Sequence, residues 1–257
     1  MKNNISFLLL ICLLAGGLLN SCKNRQQDKD KPKPEVNALP TELAKKYRED
    51  AARLALREYN TTSRNNDPQV EIPKERTEYF FKLLTKVYKM MQDDPAVPDV
   101  SHIHTFPTPP LTKVLVMLEQ DAPFKDEWLE GRRMTSNLYL NQVMSESSLK
   151  VSGCRELGTG TLCTLTAPRP VNTKDLSYIL SNIDGIKYAE PDGPAGDGND
   201  IVWGSEGKNH MALKFKVGQG DCPSGCIHNK YWIFYVQEDG SINYMGTRGE
   251  LPEGEED

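Results

Sequence analysis

The run from Leu149 to Pro191, LKVSGCRELGTGTLCTLTAPRPVNTKDLSYILSNIDGIKYAEP, decides the fold class. Residues 149–156 and 160–167 read as two strands joined by a short turn at Gly158-Thr159. Asn172, with Asp175 three residues on, opens a helix whose Leu176, Ile179, Leu180 and Ile183 share one face. Gly185 closes that helix in a C-cap position, and Ile186–Glu190 is a further strand. Working upstream, Leu140, Val143 and Met144 mark one face of a helix around 136–144, and LTKVLVML at 111–118 is a strand. The order over 111–191 is therefore βαββαβ, the split-βαβ or ferredoxin-like arrangement.

Downstream the chain turns Gly- and Asp-rich (DGPAGDGND, 192–200) and then all β. Met211, Leu213, Phe215 and Val217 alternate with polar or small residues, as in a half-buried strand. Tyr231–Val236 is apolar on both faces and should be central, and Asp239-Gly240 predicts a two-residue hairpin turn. Upstream, Thr41 after Pro40 can cap a helix to about Tyr59, and Pro73 suits the first turn of a second. Phe80, Leu84, Val87 and Met91 form the stripe of that second helix and read as core. Residues 92–110 hold five prolines and predict an irregular connection, which either separates two modules or carries function. The fold class is α+β: a helical segment at 39–92, the ferredoxin-like unit at 111–191, a small antiparallel sheet at 200–248 and an acidic tail at 249–257.

The closing phrase Leu180–Pro191, a helix end, a Gly and a short strand ending in Glu-Pro, resembles the propeptide and inhibitor domains of subtilisin-type proteases. That resemblance implies a ferredoxin-like fold and an inhibitor or propeptide-like role.

Lys2 precedes the apolar run Ile5–Leu14, which has the proportions of a signal-peptide core and is too short for a permanent span. Leu19, Asn20, Ser21 and Cys22 resemble the lipobox of bacterial lipoproteins. The resemblance implies that 1–21 is removed and that Cys22 becomes an N-terminus carrying acyl chains, palmitate among them. Lys23 is not the Asp that retains some enterobacterial lipoproteins in the inner membrane, so the outer membrane is the favoured destination within the cell envelope. Residues 22–38, polar and mixed in charge, read as a flexible tether spanning on the order of 20 Å.

Ile103-His-Thr-Phe-Pro107, Tyr188–Pro191, Gly196–Ile201, Gly220–Cys226 and Tyr231-Trp232 together resemble an uncharacterised group of Bacteroidetes secreted and lipid-anchored proteins. The resemblance implies an envelope location and carries no mechanism.

The 257 residues include 31 Lys and Arg against 36 Asp and Glu, and the net charge of −5 offers no basic face for nucleic acid. Four cysteines follow Cys22, and an oxidising envelope makes them disulfide candidates. If Gly158-Thr159 is a Gly-first turn, 157 pairs with 160 and Cys154 falls opposite Cys163 in a non-hydrogen-bonded pair about 4.5 Å apart. A bridge there contributes roughly 2–3 kcal/mol. Cys222 and Cys226 in CPSGC form either a second bridge or, with His228, a metal site.

His102 and His104 form H-x-H in the proline-rich connection and can share a metal, although no carboxylate sits in the same motif. Asp197 and Asp200, with Asp192 and Asn199, offer oxygen ligands for Ca²⁺ but lack the EF-hand order. No cofactor motif and no G-x-S-x-G, P-loop or H-E-x-x-H occurs. Trp128, Trp203 and Trp232 read most simply as core, with a ligand or partner groove as the alternative. The expected role is non-enzymatic binding of an envelope protein or peptide, with membrane contact through Cys22. The alternatives are a protease inhibitor and a metal-dependent enzyme or metal-binding protein using His102, His104, Asp197 or Asp200.

Overall fold

The computed structural model describes residues 38–62, 67–207 and 210–252. The expectations for the signal peptide, for Cys22 and its tether up to residue 37, and for the tail at 253–257 lie outside them. Helix and sheet are mixed, with two antiparallel sheets, one of them near the C-terminus. No helix among the described residues is long and apolar enough to cross a membrane.

Helices α1 (Thr41–Thr62) and α2 (Lys74–Asp93) come first. The Ala44 amide donates to the Pro40 carbonyl at 2.8 Å, so Pro40 holds the cap position and Thr41, expected as the cap, is already helical. In α2 the stripe Phe80, Leu84, Val87, Met91 is buried, as its spacing demands. Helix α1 is buried over more of its circumference than an amphipathic helix needs, every side chain from Asp50 to Leu56 being out of solvent. The proline-rich connection lies across it, irregular as expected but packed, with Val97, Val100 and Ile103 in the core.

The first sheet contains β1 (Lys113–Leu118), β2 (Lys150–Leu157), β3 (Gly160–Thr166) and β4 (Ile186–Pro191). Its spatial order is β2-β3-β1-β4 and every neighbouring pair is antiparallel. Three helices, α3 (Lys125–Leu129), α4 (Leu138–Glu146) and α5 (Thr173–Ser181), pack Trp128, Leu140 and Leu176 against Val114, Val116 and Leu165 of the sheet. Asn137 and Asn172 accept from the amides of Leu140 and Asp175, capping α4 and α5. Helix α3 was not foreseen, since five residues are too few to display a helical period.

Leu157 faces Gly160 and Cys154 faces Cys163, in the register expected from the sequence. The turn itself differs, because the glycine with positive φ is Gly160 (φ 145°) and not Gly158. A Cβ at Gly160 would sit 2.2 Å from the Leu118 carbonyl oxygen, so β1 approaches too closely for any side chain there.

The second sheet is a meander of β5 (Asp200–Glu206), β6 (His210–Gln219), β7 (His228–Val236) and β8 (Ile242–Gly249). Gln237 donates to Ser241 and Gly240 donates to Gln237, both at 2.9 Å, so the loop after β7 has three residues and not two. Gly240, at φ 74°, supplies the left-handed residue that closes such a loop.

One face of this sheet, through Ile201, Leu213, Phe215, Phe234 and Ile242, shares a core with α1 and α2. The segments at 39–92 and 200–248, which the sequence presents as separate pieces, are two halves of one packing unit.

Candidate functional site

Three polar residues of α1, Asp50, Arg53 and Arg57, stand at i, i+3 and i+7 and so rise along one side of the helix. Asp50 is 2% exposed. Its carboxylate accepts from the Thr105 amide at 2.8 Å and the Thr105 hydroxyl at 2.7 Å, and contacts His104 Nδ1 at 2.8 Å. Arg53 donates to Thr105 Oγ1 at 2.6 Å and to the Pro109 carbonyl at 3.1 Å. Burial pulls the Arg53 guanidinium down from its ordinary value, with Asp50 opposing. Arg57 donates to the carbonyls of Phe106 and Thr108 at 2.8 Å and to Asp200 at 2.9 and 3.1 Å. Residues 104–109 are thus held along α1 by side chains that answer the backbone groups a proline-rich segment cannot pair by itself.

This arrangement separates the sequence candidates. His104 turns to Asp50, whereas His102 is exposed. Asp200 is occupied by Arg57 and by the Phe106 amide at 2.7 Å. Asp197 is held in a two-pronged pair by Lys216, at 2.5 and 2.6 Å. That ammonium holds the Asp197 carboxyl below the ordinary carboxylate range. Among the described residues no group of three or more His, Cys, Asp or Glu side chains is placed to hold a metal ion. The cysteines pair as Cys154–Cys163, with sulfurs 1.97 Å apart, and as Cys222–Cys226, at 2.26 Å. The second pair lies against Gly218, where a Cβ would meet Cys226 Sγ at 2.5 Å.

A cleft of about 270 Å³ opens between the last turns of α1 and strand β5. Leu54, Val202, Trp203 and Met211 give it apolar walls, and Arg57, Glu58, Thr61 and Thr62 give it a polar side. Trp203 is fixed from several directions. Its indole N–H donates to Glu58 Oε1 at 3.1 Å, and its ring meets Tyr79 and Phe80 edge-on at 6.1 and 5.4 Å. Glu58 in turn accepts two bonds of 2.6 Å from Arg76, whose guanidinium lies over Tyr79, 4.2 Å from the ring centre. Burial pushes the Tyr79 phenol up, keeping it neutral.

Among the described residues β5 is an edge strand, paired with β6 on one side alone. The Ile201 carbonyl accepts from Arg57 at 3.2 Å and the Ile201 amide donates to Asp200 at 2.8 Å, so both point away from β6. Alternation then aims the amides and carbonyls of Trp203 and Ser205 the same way, beside the cleft. These groups have no partner among the described residues. An unpaired strand edge beside an apolar socket can accept an extended chain, the edge bonding its backbone and the socket one of its side chains.

Of these parts, Trp203 is legible in the sequence as core or as the wall of a partner groove, without a choice between them, whereas Glu58 and Arg76 carry no local signal. The available signal was the polar set Asp50, Arg53, Arg57 and Glu58 in the middle of a helix bearing Leu54 and Leu56. No family model, curated protein or solved structure matches the chain.

Proposed function

We propose that this chain is a lipid-anchored cell-envelope protein, without catalytic activity, that binds a protein or peptide partner by strand addition in the groove between α1 and β5. The carrying observation is the β5 backbone groups at Trp203 and Ser205, unpaired among the described residues, beside the 270 Å³ apolar cleft. The lipobox-like Leu19–Cys22 supports the anchor, and Lys23 supports outer-membrane attachment. The strand order β2-β3-β1-β4, with α3 and α4 before β2 and α5 before β4, supports a ferredoxin-like reading of 111–191. On this reading the ferredoxin-like unit is a scaffold, and the binding groove belongs to the other core.

The test uses peptides selected from a random display library against the full chain. A selected peptide is expected to lose about tenfold in affinity when its two central amides are N-methylated, because two backbone hydrogen bonds disappear. It should lose a comparable factor in Trp203→Ala, where the socket wall is gone. Binding indifferent to N-methylation would refute strand addition. Intact mass of the mature chain tests the anchor separately, the expected species beginning at Cys22 with acyl chains attached.

A second reading retains one specific support. Helix α5, Gly185 and β4, which ends at Pro191, keep the element order of the protease propeptide phrase. Undiminished subtilisin activity at micromolar concentrations of the chain would dispose of it.

A further inference from the structure

Apolar side chains that an ordered segment holds out in water call for a partner. Between the end of α3 and the first turn of α4, Leu129, Met134, Leu138 and Tyr139 are exposed at 38%, 65%, 82% and 55%. This segment is pinned by its own hydrogen bonds. The Ser136 amide donates to Glu127 at 2.9 Å and the Thr135 amide to Asn141 Oδ1 at 2.8 Å. The Asn141 side chain returns a bond to the Thr135 carbonyl at 2.7 Å. Leu138 lies on the side of α4 opposite Leu140, Val143 and Met144, which face the core under the first sheet. Its exposure is therefore fixed by the helix.

Beside this segment, a second cleft of about 200 Å³ is lined by Arg132, Arg133 and Lys150, with Met144, Leu149 and Val151. Arg132 pairs with Glu130 at 2.5 Å, while Arg133 and Lys150 have no carboxylate partner among the described residues.

We infer that residues 129–139, with Arg133 and Lys150, form a surface that rests on an anionic lipid bilayer. Leu138 and its neighbours enter the interface, and the basic cleft takes a lipid phosphate. A protruding apolar segment that itself carries Arg132 and Arg133 suits a bilayer, which needs no matching groove, better than a protein partner, which does. Charge complementarity is local: the chain as a whole is acidic, at −5, yet the cleft that Arg132 and Arg133 of this segment form with Lys150 is basic. The inference rests on the lipid-anchor reading only for proximity, since acyl chains on Cys22 would keep the protein at the membrane.

The experiment is hydrogen exchange of residues 131–139 in the full chain carrying Cys22→Ser, titrated with phosphatidylglycerol vesicles and, separately, with phosphatidylcholine vesicles. Without the acylation site the result does not depend on lipidation, which intact mass of the unsubstituted chain reports by itself. Exchange should slow on phosphatidylglycerol and not on phosphatidylcholine. Arg133→Gln and Lys150→Gln should each raise the vesicle concentration for half-protection about fivefold, and Leu138→Ser should raise it as well. All three positions are exposed, so the variants fold. Unchanged exchange on phosphatidylglycerol would overturn the inference. Equal protection by soluble polyglutamate would also overturn it, marking a simple anion site.

Discussion

The two cores of this molecule are assembled from opposite kinds of neighbour. Under the sheet of β1 to β4, the covering helices α3, α4 and α5 are drawn from between the strands themselves, so the contacts are short in sequence. Under the sheet of β5 to β8, the covering helices α1 and α2 come from the other end of the chain. The first arrangement needs only local order to begin. In the second, Phe80 must meet Trp203 across more than a hundred intervening residues, and closing so long a loop costs entropy.

The comparison is most severely tested at Phe80, which is fully buried in the long-range core. Phe80→Ala is expected to cost about 3–5 kcal/mol in chemical denaturation. Hydrogen exchange should then quicken together in α2, β6 and β7 while β1 and β3 stay protected. Faster exchange in α2 alone would mean that the helices and the second sheet do not share their stability.

The next effect belongs to the local core. Replacing Cys154 and Cys163 by Ala together should cost roughly 2–3 kcal/mol, and the same change at Cys222 and Cys226 somewhat less, because it closes a shorter loop. Thermal unfolding of both double variants gives the ranking. The first variant should leave exchange in α1 and α2 unaltered.

How much of this was legible follows from the same difference. The register of β2 and β3 could be counted from the sequence because the turn and both cysteines lie within a single hairpin. The asparagine cap of α5, Asn172 with Asp175 three residues on, is an equally local signal. Hydrophobic periodicity identified the buried stripe of α2, but a stripe says only that a face is covered. Nothing in Phe80, Leu84 or Val87 names a sheet more than a hundred residues away. The candidate site was legible in pieces for a related reason. His104, Asp197 and Asp200 stand out as ligand types, yet their roles are set by Asp50, Lys216 and Arg57, which the chain brings to them from a distance.

The smallest effect concerns the connection between the two regions. Asp197 has a folded pKa below its unfolded one, so its stabilisation is fully present above the ordinary carboxylate range. It is lost as pH falls through the lowered folded value. Asp197→Asn should lower stability by less than about 1 kcal/mol at neutral pH, since the carboxylate is partly exposed. In strong acid the difference should vanish, as urea midpoints of both proteins across pH will record. A gap that persists unchanged in acid would show that the aspartate acts through something other than its charge.

The long-range core also bears on biosynthesis. The chain emerges N-terminus first, so the aromatic flank of α2 is made early and its cover, β6 and β7, is made late. Throughout that interval the nascent polypeptide carries an adhesive helical hairpin that only a holding chaperone or rapid delivery can shield. Truncation anywhere before β7 should therefore leave an aggregating fragment rather than a smaller folded protein.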